Sequence, residues 1–169
     1  MLRQKVIKTP FLEIVLVSDG EYLVKSEFIY DEKVRARYQD IVKEDDPILL
    51  EAAIQLEEYF SRNRKDFDLP LRMKGTNFQR DVWHVLQSIP YGEVLTYTEV
   101  AKKAGRPKAF RGAGGACRAN HFTIIVPCHR VIGSNGEYTG YAGDKTFMKA
   151  DLLSFESGQG RLFESYSFF

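Results

Sequence analysis

Cysteine is scarce in this chain of 169 residues, which contains only Cys117 and Cys128. Two cysteines cannot build the disulfide framework of a small secreted domain, and they do not form the paired CxxC pattern of a zinc site. Long apolar runs are also missing. None approaches the roughly 18 residues that a membrane span needs, and the first residues lack the apolar core of a signal peptide. A cytoplasmic protein is therefore expected.

An excess of either charge is missing as well, because the formal net charge is only +1, yet the two halves of the chain differ. Residues 1–71 carry 11 Lys and Arg against 15 Asp and Glu, whereas residues 72–158 carry 12 against 7. A modestly basic C-terminal half permits nucleic-acid binding on one face. It does not require it, since most basic surfaces are only solvated.

The first third of the chain is predicted to be a small α/β unit. Two β-rich runs, Leu12–Val17 and Tyr22–Phe28, flank a stretch at 18–21 that is typical of a hairpin turn. Pro47 then begins a predicted helix. Its apolar residues recur at helical spacing: Leu49, Ala53, Leu56 and Phe60.

The stretch at 68–71 contains Pro70 and is predicted to be a connector or an edge strand, because proline cannot donate a hydrogen bond inside a sheet. We place a domain boundary between about residues 68 and 76. The predicted organisation is an N-terminal α/β domain at 1–72, a C-terminal domain at 73–158 and a tail at 159–169.

The second part of the chain is predicted to be mostly helical. Thr76 with Gln79, and Thr96 with Glu99, have the spacing of capping boxes that begin two helices. The first of these helices has an apolar stripe: Phe78, Val82, Val85, Leu86 and Ile89. A third helix is expected from Lys108 to Arg118, after a tight turn. Two short helices across such a turn are typical of a helix-turn-helix, although a packed helical hairpin has the same pattern.

The third helix is rich in small residues, among them Gly112, Gly114 and Gly115. Each interior glycine costs roughly 1 kcal/mol relative to alanine. Close approach to another surface would justify that cost. The surface could be a neighbouring helix or the backbone of DNA in a widened minor groove.

A β-branched run at 122–126 precedes Pro127, Cys128 and His129, and we expect a strand that feeds a rigid turn. An ordinary thiol is only about 3% thiolate at neutral pH, and the thiolate is the nucleophile. An adjacent histidine can accept its proton, and Arg130 adds positive charge. Two other readings stay open at this point: a small buried cysteine, and a zinc site. The zinc site would use Cys117, His121, Cys128 and His129.

The longer string at 125–132, IVPCHRVI, resembles the active-site signature of the O6-alkylguanine-DNA alkyltransferases, also called methylated-DNA–protein-cysteine methyltransferases. The similarity covers about residues 75–158 in order. Its further landmarks are the 90–94 stretch with Tyr97, the 111–120 segment, the 140–143 loop, and Leu152-Leu153 with Glu156. Residues 1–70 match the family only in general layout.

The resemblance implies an α/β (α+β) fold, with a small N-terminal α/β domain built on a short antiparallel, ribonuclease H-like sheet. A mostly helical winged helix-turn-helix domain should follow. It also implies a monomer that binds double-stranded DNA through the minor groove, cooperatively in some settings. No cofactor and no metal are implied.

The resemblance further implies that Cys128 takes the alkyl group from O6-alkylguanine, and from O4-alkylthymine, and is not regenerated. His129 would be the general base through a bridging water, and Glu156 would hydrogen-bond its imidazole. Asn120 would be a hinge between the recognition helix and the active-site turn, a role compatible with a helix C-cap. Tyr97 would donate a proton to the guanine ring.

For DNA, the resemblance implies that Arg111 is a finger that fills the place of the flipped nucleotide. Lys149 would support the tyrosine. The backbone of Val131 and the loop at Tyr141 and Ala142 would hold the base. The remaining expected DNA contacts are Arg118, Lys108 and Ala109.

Three rival functions share features of this sequence: a non-enzymatic sensor of alkylation damage, a helix-turn-helix regulator, and a thiol–disulfide protein. Sensors of this kind replace the cysteine, whereas this chain keeps Cys128. A resolving cysteine could only be Cys117, which we expect to be a small buried residue. Asp144 departs from the family, since many members have glycine at that position.

Overall fold

The computed structural model describes residues 1–136 and 146–158, with the backbone alone at 146 and 147. The chain divides into two compact units, with the break between Met73 and Lys74. The predicted contacts of Tyr141 and Ala142, the departure at Asp144 and the tail at 159–169 lie outside the described residues. No helix in the described part is both long and apolar enough to cross a membrane.

The first unit is built on a four-stranded sheet. Strands β1 (Arg3–Ile7), β2 (Ile14–Ser18) and β3 (Leu23–Phe28) form an antiparallel meander. The two-residue strand β4 (Val42–Lys43) pairs in parallel with β1, so the order is β3-β2-β1-β4. The predicted hairpin between β2 and β3 is confirmed. Every residue of β2 is buried, as expected of a central strand.

Two helices complete the first unit. Helix α1 (Glu32–Ala36) begins after Asp31, whose carboxylate accepts the Val34 amide. Helix α2 (Pro47–Phe60) begins after Asp46, whose carboxylate accepts the amide of Leu49. The predicted helix is confirmed, but its buried face is rotated. Ala53 and Phe60 are half-buried, and the residues that α2 buries are Leu49, Ala52, Gln55, Leu56 and Tyr59.

The stretch around Pro70 is a connector that touches the edge of the sheet at one point. The carbonyl of Pro70 accepts the Leu23 amide at 2.8 Å, and the amide of Arg72 donates to the Leu23 carbonyl at 3.0 Å. Leu71 forms a single parallel bridge with Leu23. Proline is tolerated here because only its carbonyl is needed.

The second unit begins with two helices, α3 (Asn77–Gln87) and α4 (Tyr97–Lys103). Both capping boxes are present, at Thr76 and at Thr96. Helix α3 buries Trp83, whose indole Nε1 donates to the carbonyl of Ala116 at 2.8 Å. That residue falls outside the predicted stripe.

Helix α5 (Phe110–Arg118) starts two residues later than predicted. A turn occupies the intervening residues, since the amide of Ala109 donates to the Arg106 carbonyl at 2.9 Å. Ala109 itself has a non-helical ψ of 37°. Helices α4 and α5 pack together across this turn as a helix-turn-helix pair.

The strand expected at 122–126 is wrong, because this segment is a series of tight turns. The amide of Ile125 donates to the Thr123 carbonyl at 2.8 Å, and Ile124 has a φ of +68°. The β-branched side chains are present for burial rather than for strand pairing, since Ile124 and Val126 are 1% and 0% exposed.

The chain then makes a single 3-10 turn (Cys128–Arg130) and enters a two-residue strand, β6 (Val131–Ile132). Strand β6 pairs in parallel with β5 (Leu95–Thr96) just before α4. The last described element is α6 (Thr146–Glu156), which packs against the 3-10 turn. The 3-10 turn also packs against α3.

Candidate active site

Cys128 is the first residue of the 3-10 turn and is only 6% exposed. Its Sγ accepts a hydrogen bond from Nδ2 of Asn120 at 3.3 Å. Burial raises the pKa of the Cys128 thiol, while the Asn120 hydrogen bond and the charge of Lys149 act in the opposite direction. The thiol is therefore sheltered from water but lies beside two groups that favour its anion.

Asn120 joins the end of α5 to the cysteine turn. Its Nδ2 also donates to the carbonyl of Val126 at 2.8 Å, and its Oδ1 accepts the Phe122 amide at 2.9 Å. These bonds satisfy polar backbone groups that the turn cannot pair within itself. The structure thus brings Asn120 to the thiol and to the segment that positions it.

His129 points away from solvent toward the end of α6. Its Nε2 lies 2.9 Å from Oε2 of Glu156, and both residues are buried. Arg130 donates to the same carboxylate through two nitrogens, each at 2.8 Å, and to the carbonyl of Ile89 at 2.7 Å. Glu156 is therefore a buried anion with two partners rather than a surface residue.

The charges of this trio fix the protonation of the imidazole. Burial alone would raise the pKa of Glu156, but His129 and Arg130 together hold it well below its usual range. Burial lowers the pKa of His129, against the pull of Glu156. A neutral imidazole beside a carboxylate must carry its hydrogen on Nε2, which leaves Nδ1 as an acceptor. Among the described residues Nδ1 of His129 is buried and has no protein partner.

Lys149 contacts both Tyr97 and Val131, the residue that follows the 3-10 turn. Nζ of Lys149 donates to the Tyr97 hydroxyl at 3.1 Å and to the carbonyl of Val131 at 2.5 Å. Lys149 is fully buried, and burial lowers its pKa, while the nearby cysteines favour its charged form. The structure thus brings together Tyr97, Lys149 and Val131.

The role predicted for Arg130 from the sequence was wrong. It was expected to place positive charge beside the thiol, but its guanidinium binds Glu156 instead. The cation that acts on Cys128 is Lys149. The carbonyl of Ile89 accepts a hydrogen bond from Arg130. The sequence could not predict this partner, because every residue has a backbone carbonyl.

Cys117 is confirmed as a small buried residue on α5, with 5% exposure. Burial raises the pKa of its thiol. His121 stacks edge-on against the ring of Trp83, at 5.9 Å between centroids. His129 is held by Glu156, so the histidines of the hypothetical zinc site have other partners.

The residues expected to contact DNA lie on and before α5. Lys108, Arg111 and Arg118 are exposed, and none has a carboxylate partner among the described residues. Ala109 occupies the N-cap position and supplies no side-chain hydrogen bond, so the first amides of α5 have no side-chain acceptor.

The glycines of α5 differ in what surrounds them. A Cβ on Gly112 would lie 3.1 Å from the ring of Phe78, so packing within the unit favours glycine there. A Cβ on Gly114 or Gly115 would meet nothing closer than 3.9 or 4.0 Å. Packing among the described residues therefore does not explain these two glycines, and an approaching surface from outside is the alternative.

The class that this fold and site define is a helix-turn-helix protein with a buried cysteine next to a buried histidine–glutamate pair. A family model described as 6-O-methylguanine DNA methyltransferase, DNA binding domain, matches residues 77–158. A second model, described as the ribonuclease-like domain of the same methyltransferase, matches residues 2–73. The chain belongs to the 6-O-methylguanine DNA methyltransferase family, which repairs DNA by direct reversal of the damage.

Individual relatives agree with this membership. The chain is 43% identical over 151 residues to the constitutive methylated-DNA–protein-cysteine methyltransferase of Bacillus subtilis, covering 88% of this chain and 92% of that protein. It is 45% identical over 137 residues to the methylated-DNA–protein-cysteine methyltransferase of Methanosarcina acetivorans, covering 81% and 87%. These names favour an enzyme over a non-enzymatic sensor or a regulator.

Solved structures have the same fold. The O6-methylguanine methyltransferase of Mycobacterium tuberculosis superposes with a TM-score of 0.82 at 36% identity, over 95% of each chain. The M. tuberculosis protein in complex with DNA superposes with a TM-score of 0.81 at 35% identity, over 94% of each chain.

Proposed function

We propose that the protein repairs alkylated DNA by moving the alkyl group from O6 of guanine to Sγ of its own Cys128. The sulfur attacks the alkyl carbon, the carbon–oxygen bond breaks, and a thioether forms on the protein. Guanine leaves with the electron pair of the broken bond. Because a thioether cannot be hydrolysed back to a thiol here, each molecule reacts once.

The thiol proton would pass to His129. A neutral imidazole with its hydrogen on Nε2 has its lone pair on Nδ1, which can take the proton of Cys128 through a bridging water. Glu156 then balances the imidazolium, and Arg130 keeps Glu156 ionised before the reaction. Asn120 favours the thiolate by donating to Sγ at 3.3 Å.

The departing guanine needs a proton donor on its ring. Tyr97 can supply it to N3, since the ammonium of Lys149 donates to the phenol oxygen and favours the developing phenolate. The carbonyl of Val131 has a second lone pair beside the one used by Lys149, and it can accept from the exocyclic amine of the base. The loop at Tyr141 and Ala142 would close the other edge.

DNA binding is assigned to α5 through the minor groove. The first amides of α5, which Ala109 leaves without a side-chain cap, are suited to phosphate oxygens together with Lys108 and Arg118. The absence of a Cβ at Gly114 and Gly115, which packing among the described residues does not require, would let the duplex backbone approach closely. The damaged nucleotide must leave the stack to reach the buried thiol, and Arg111 would take its place.

We also propose the wider organisation predicted from the sequence. Residues 1–72 form the N-terminal domain, residues 73–158 form the DNA-binding and transferase domain, and residues 159–169 form a tail. The protein would act in the cytoplasm as a monomer that also binds DNA cooperatively. O4-alkylthymine would be a second substrate.

The observation that carries the proposal is the buried series of contacts around Cys128, in which Asn120 holds the sulfur and Glu156 orients His129. The test is the stoichiometry of repair on duplex DNA with one O6-methylguanine. We expect one lesion removed per protein and none afterwards. Cys128→Ala should remove none, while the matched variant Cys117→Ala should equal the wild type. Repair beyond one lesion per molecule, or repair by Cys128→Ala, would contradict the proposal.

A further inference from the structure

Phe110 is the one exposed phenylalanine, tyrosine or tryptophan among the described residues of the second unit. It is 47% exposed, and the other large apolar side chain exposed there is Val94, at 42%. A single exposed apolar residue needs no explanation by itself. The surroundings of Phe110, however, differ from those of an ordinary surface residue.

Phe110 is the first residue of α5 and is flanked by cations. The guanidinium carbon of Arg111 lies 5.9 Å from the centroid of its ring, within the range of a cation–π contact. Lys108 is exposed two residues earlier, and neither cation has a carboxylate partner among the described residues. An apolar ring among unpaired cations is suited to nucleic acid, which offers both phosphates and flat bases.

The position of Phe110 on the helix determines where the ring can reach. Phe110 and Arg111 are consecutive, so they are separated by roughly 100° around the axis. The Cα–Cβ bonds of a helix tilt toward its N-terminus, so both side chains project from the first turn toward the N-terminal end of α5. A duplex that meets the N-terminal end of α5 would meet these two side chains together.

We propose that Phe110 is a stacking wedge that enters the base stack of the duplex beside Arg111 when the damaged nucleotide leaves it. This inference rests on the proposed function, because it assigns α5 to the DNA. Aromatic and other apolar wedges that insert at base steps in the minor groove keep the duplex open without reading its sequence. Arg111 fills the vacated place, and Phe110 covers the face of the neighbouring base.

Phe110 is a positioning residue in this account, because its ring touches the duplex and not the reacting atoms. Its loss should matter when a base pair must be opened and matter little when the lesion is already unpaired. The ratio of the transfer rates from duplex and from single-stranded DNA therefore isolates its role. A purely structural role would change the two rates alike.

The test compares Phe110→Ala with wild type on duplex and single-stranded DNA carrying the same O6-methylguanine. We expect the duplex rate at limiting DNA to fall about tenfold, the scale of one lost base–aromatic stack, with less than about a twofold change on single strands. Val94→Ala removes exposed apolar surface in the same unit and should change neither rate. Thermal unfolding checks that both variants are folded.

A second variant gives a direct signal for stacking. Phe110→Trp should restore the duplex rate, and its added fluorescence should be quenched when the lesion duplex binds. Trp83 is 2% exposed and supplies a constant background, as the wild-type protein shows when titrated in parallel.

The possible outcomes distinguish failure of the proposed function from failure of the proposed role of Phe110. If wild type transfers no methyl group from either DNA, the proposed function fails and the wedge fails with it. If wild type transfers normally but Phe110→Ala keeps the duplex rate, or loses both rates equally, only the wedge is overturned. A Phe110-dependent dimer in sedimentation, with repair unchanged in Phe110→Ala, would assign the ring to a second copy of the chain and also overturn it.

Discussion

The two units of the molecule use charge in different ways. In the first unit, cations on the sheet and on α1 pair with carboxylates at the surface, as Arg35 does with Glu13 at 2.7 Å and Arg37 with Glu27 at 2.9 Å. In the second unit, Glu156 is buried with Arg130 and His129. The exposed cations of α5 have no carboxylate among the described residues.

The exposed ion pairs of the first unit and the buried ion pair of the second unit therefore have different consequences. An exposed pair is screened by water and contributes little to stability. A buried carboxylate between two partners decides which nitrogen of an imidazole carries the proton. Cations without carboxylate partners are available for phosphate.

The largest expected effect follows from replacing His129, the proposed base. His129→Gln keeps a donor toward Glu156 but lacks an acceptor of proton affinity comparable to that of imidazole. We expect the rate of methyl transfer from duplex DNA to fall about 100- to 10,000-fold, the usual contribution of a positioned base. Single-turnover kinetics on lesion DNA measure it.

The matched control is His84→Gln on α3, an exposed histidine whose ring bonds the Arg80 carbonyl at 2.7 Å. Its rate should equal that of the wild type. A His129→Gln variant that reacts as fast as His84→Gln would contradict the proposal that His129 is the base.

Arg130→Met should give the largest loss of stability. The substitution leaves Glu156 as a buried carboxylate without its guanidinium, and breaking a buried pair costs about 3–5 kcal/mol in the free energy of unfolding. Arg35→Met breaks the exposed pair with Glu13 and should cost no more than about 1 kcal/mol. Urea denaturation of both variants measures the difference, and equal losses would mean that burial does not separate the two pairs.

Parts of the fold and of the site could be predicted from the sequence, and other parts could not. Helices α3 and α4 were predictable because the two residues of each capping box lie only three positions apart in the sequence. The strand expected before Pro127 was wrong, because the β-branched residues there are buried without pairing. Arg130 could not be placed, since its partners Glu156 and Ile89 are 26 and 41 residues away and meet only in the folded chain. Strand β1 has too mixed a composition to be singled out.

Acid should destabilise the protein through the buried histidine. Burial lowers the pKa of His129 from its ordinary value of 6.5. Below pH 6.5, His129 therefore binds a proton in the unfolded chain more readily than in the folded chain. The free energy of unfolding should therefore fall as pH drops below 6.5, by at most about 1.4 kcal/mol per pH unit from this group. Glu156, whose pKa is also lowered, adds to the loss at more acidic pH.

Urea denaturation between pH 7.5 and 5 measures this slope, a range chosen to bracket the ordinary histidine pKa of about 6.5. His129→Gln should flatten it, and His84→Gln should leave it as in the wild type. A slope that survives in His129→Gln would show that another group carries the acid sensitivity.

The smallest expected effect concerns salt. If Lys108 and Arg118 contact phosphates, replacing either by alanine should reduce the slope of log affinity against log salt concentration by about 0.9. Arg37→Ala, which removes a cation already paired with Glu27, should leave the slope unchanged. Fluorescence anisotropy with undamaged duplex DNA measures all three, and a change for Arg37→Ala equal to that for Lys108→Ala would contradict the division between paired and available cations.

The central claim is that Cys128 itself receives the alkyl group. After incubation with duplex DNA containing O6-methylguanine, the protein is digested and the peptides containing Cys128 and Cys117 are weighed. The account predicts that the Cys128 peptide gains the mass of one CH₂ group in proportion to the lesions lost, while the Cys117 peptide is unchanged. Loss of the lesion with an unmodified Cys128 peptide, or with the methyl group on Cys117, would contradict it.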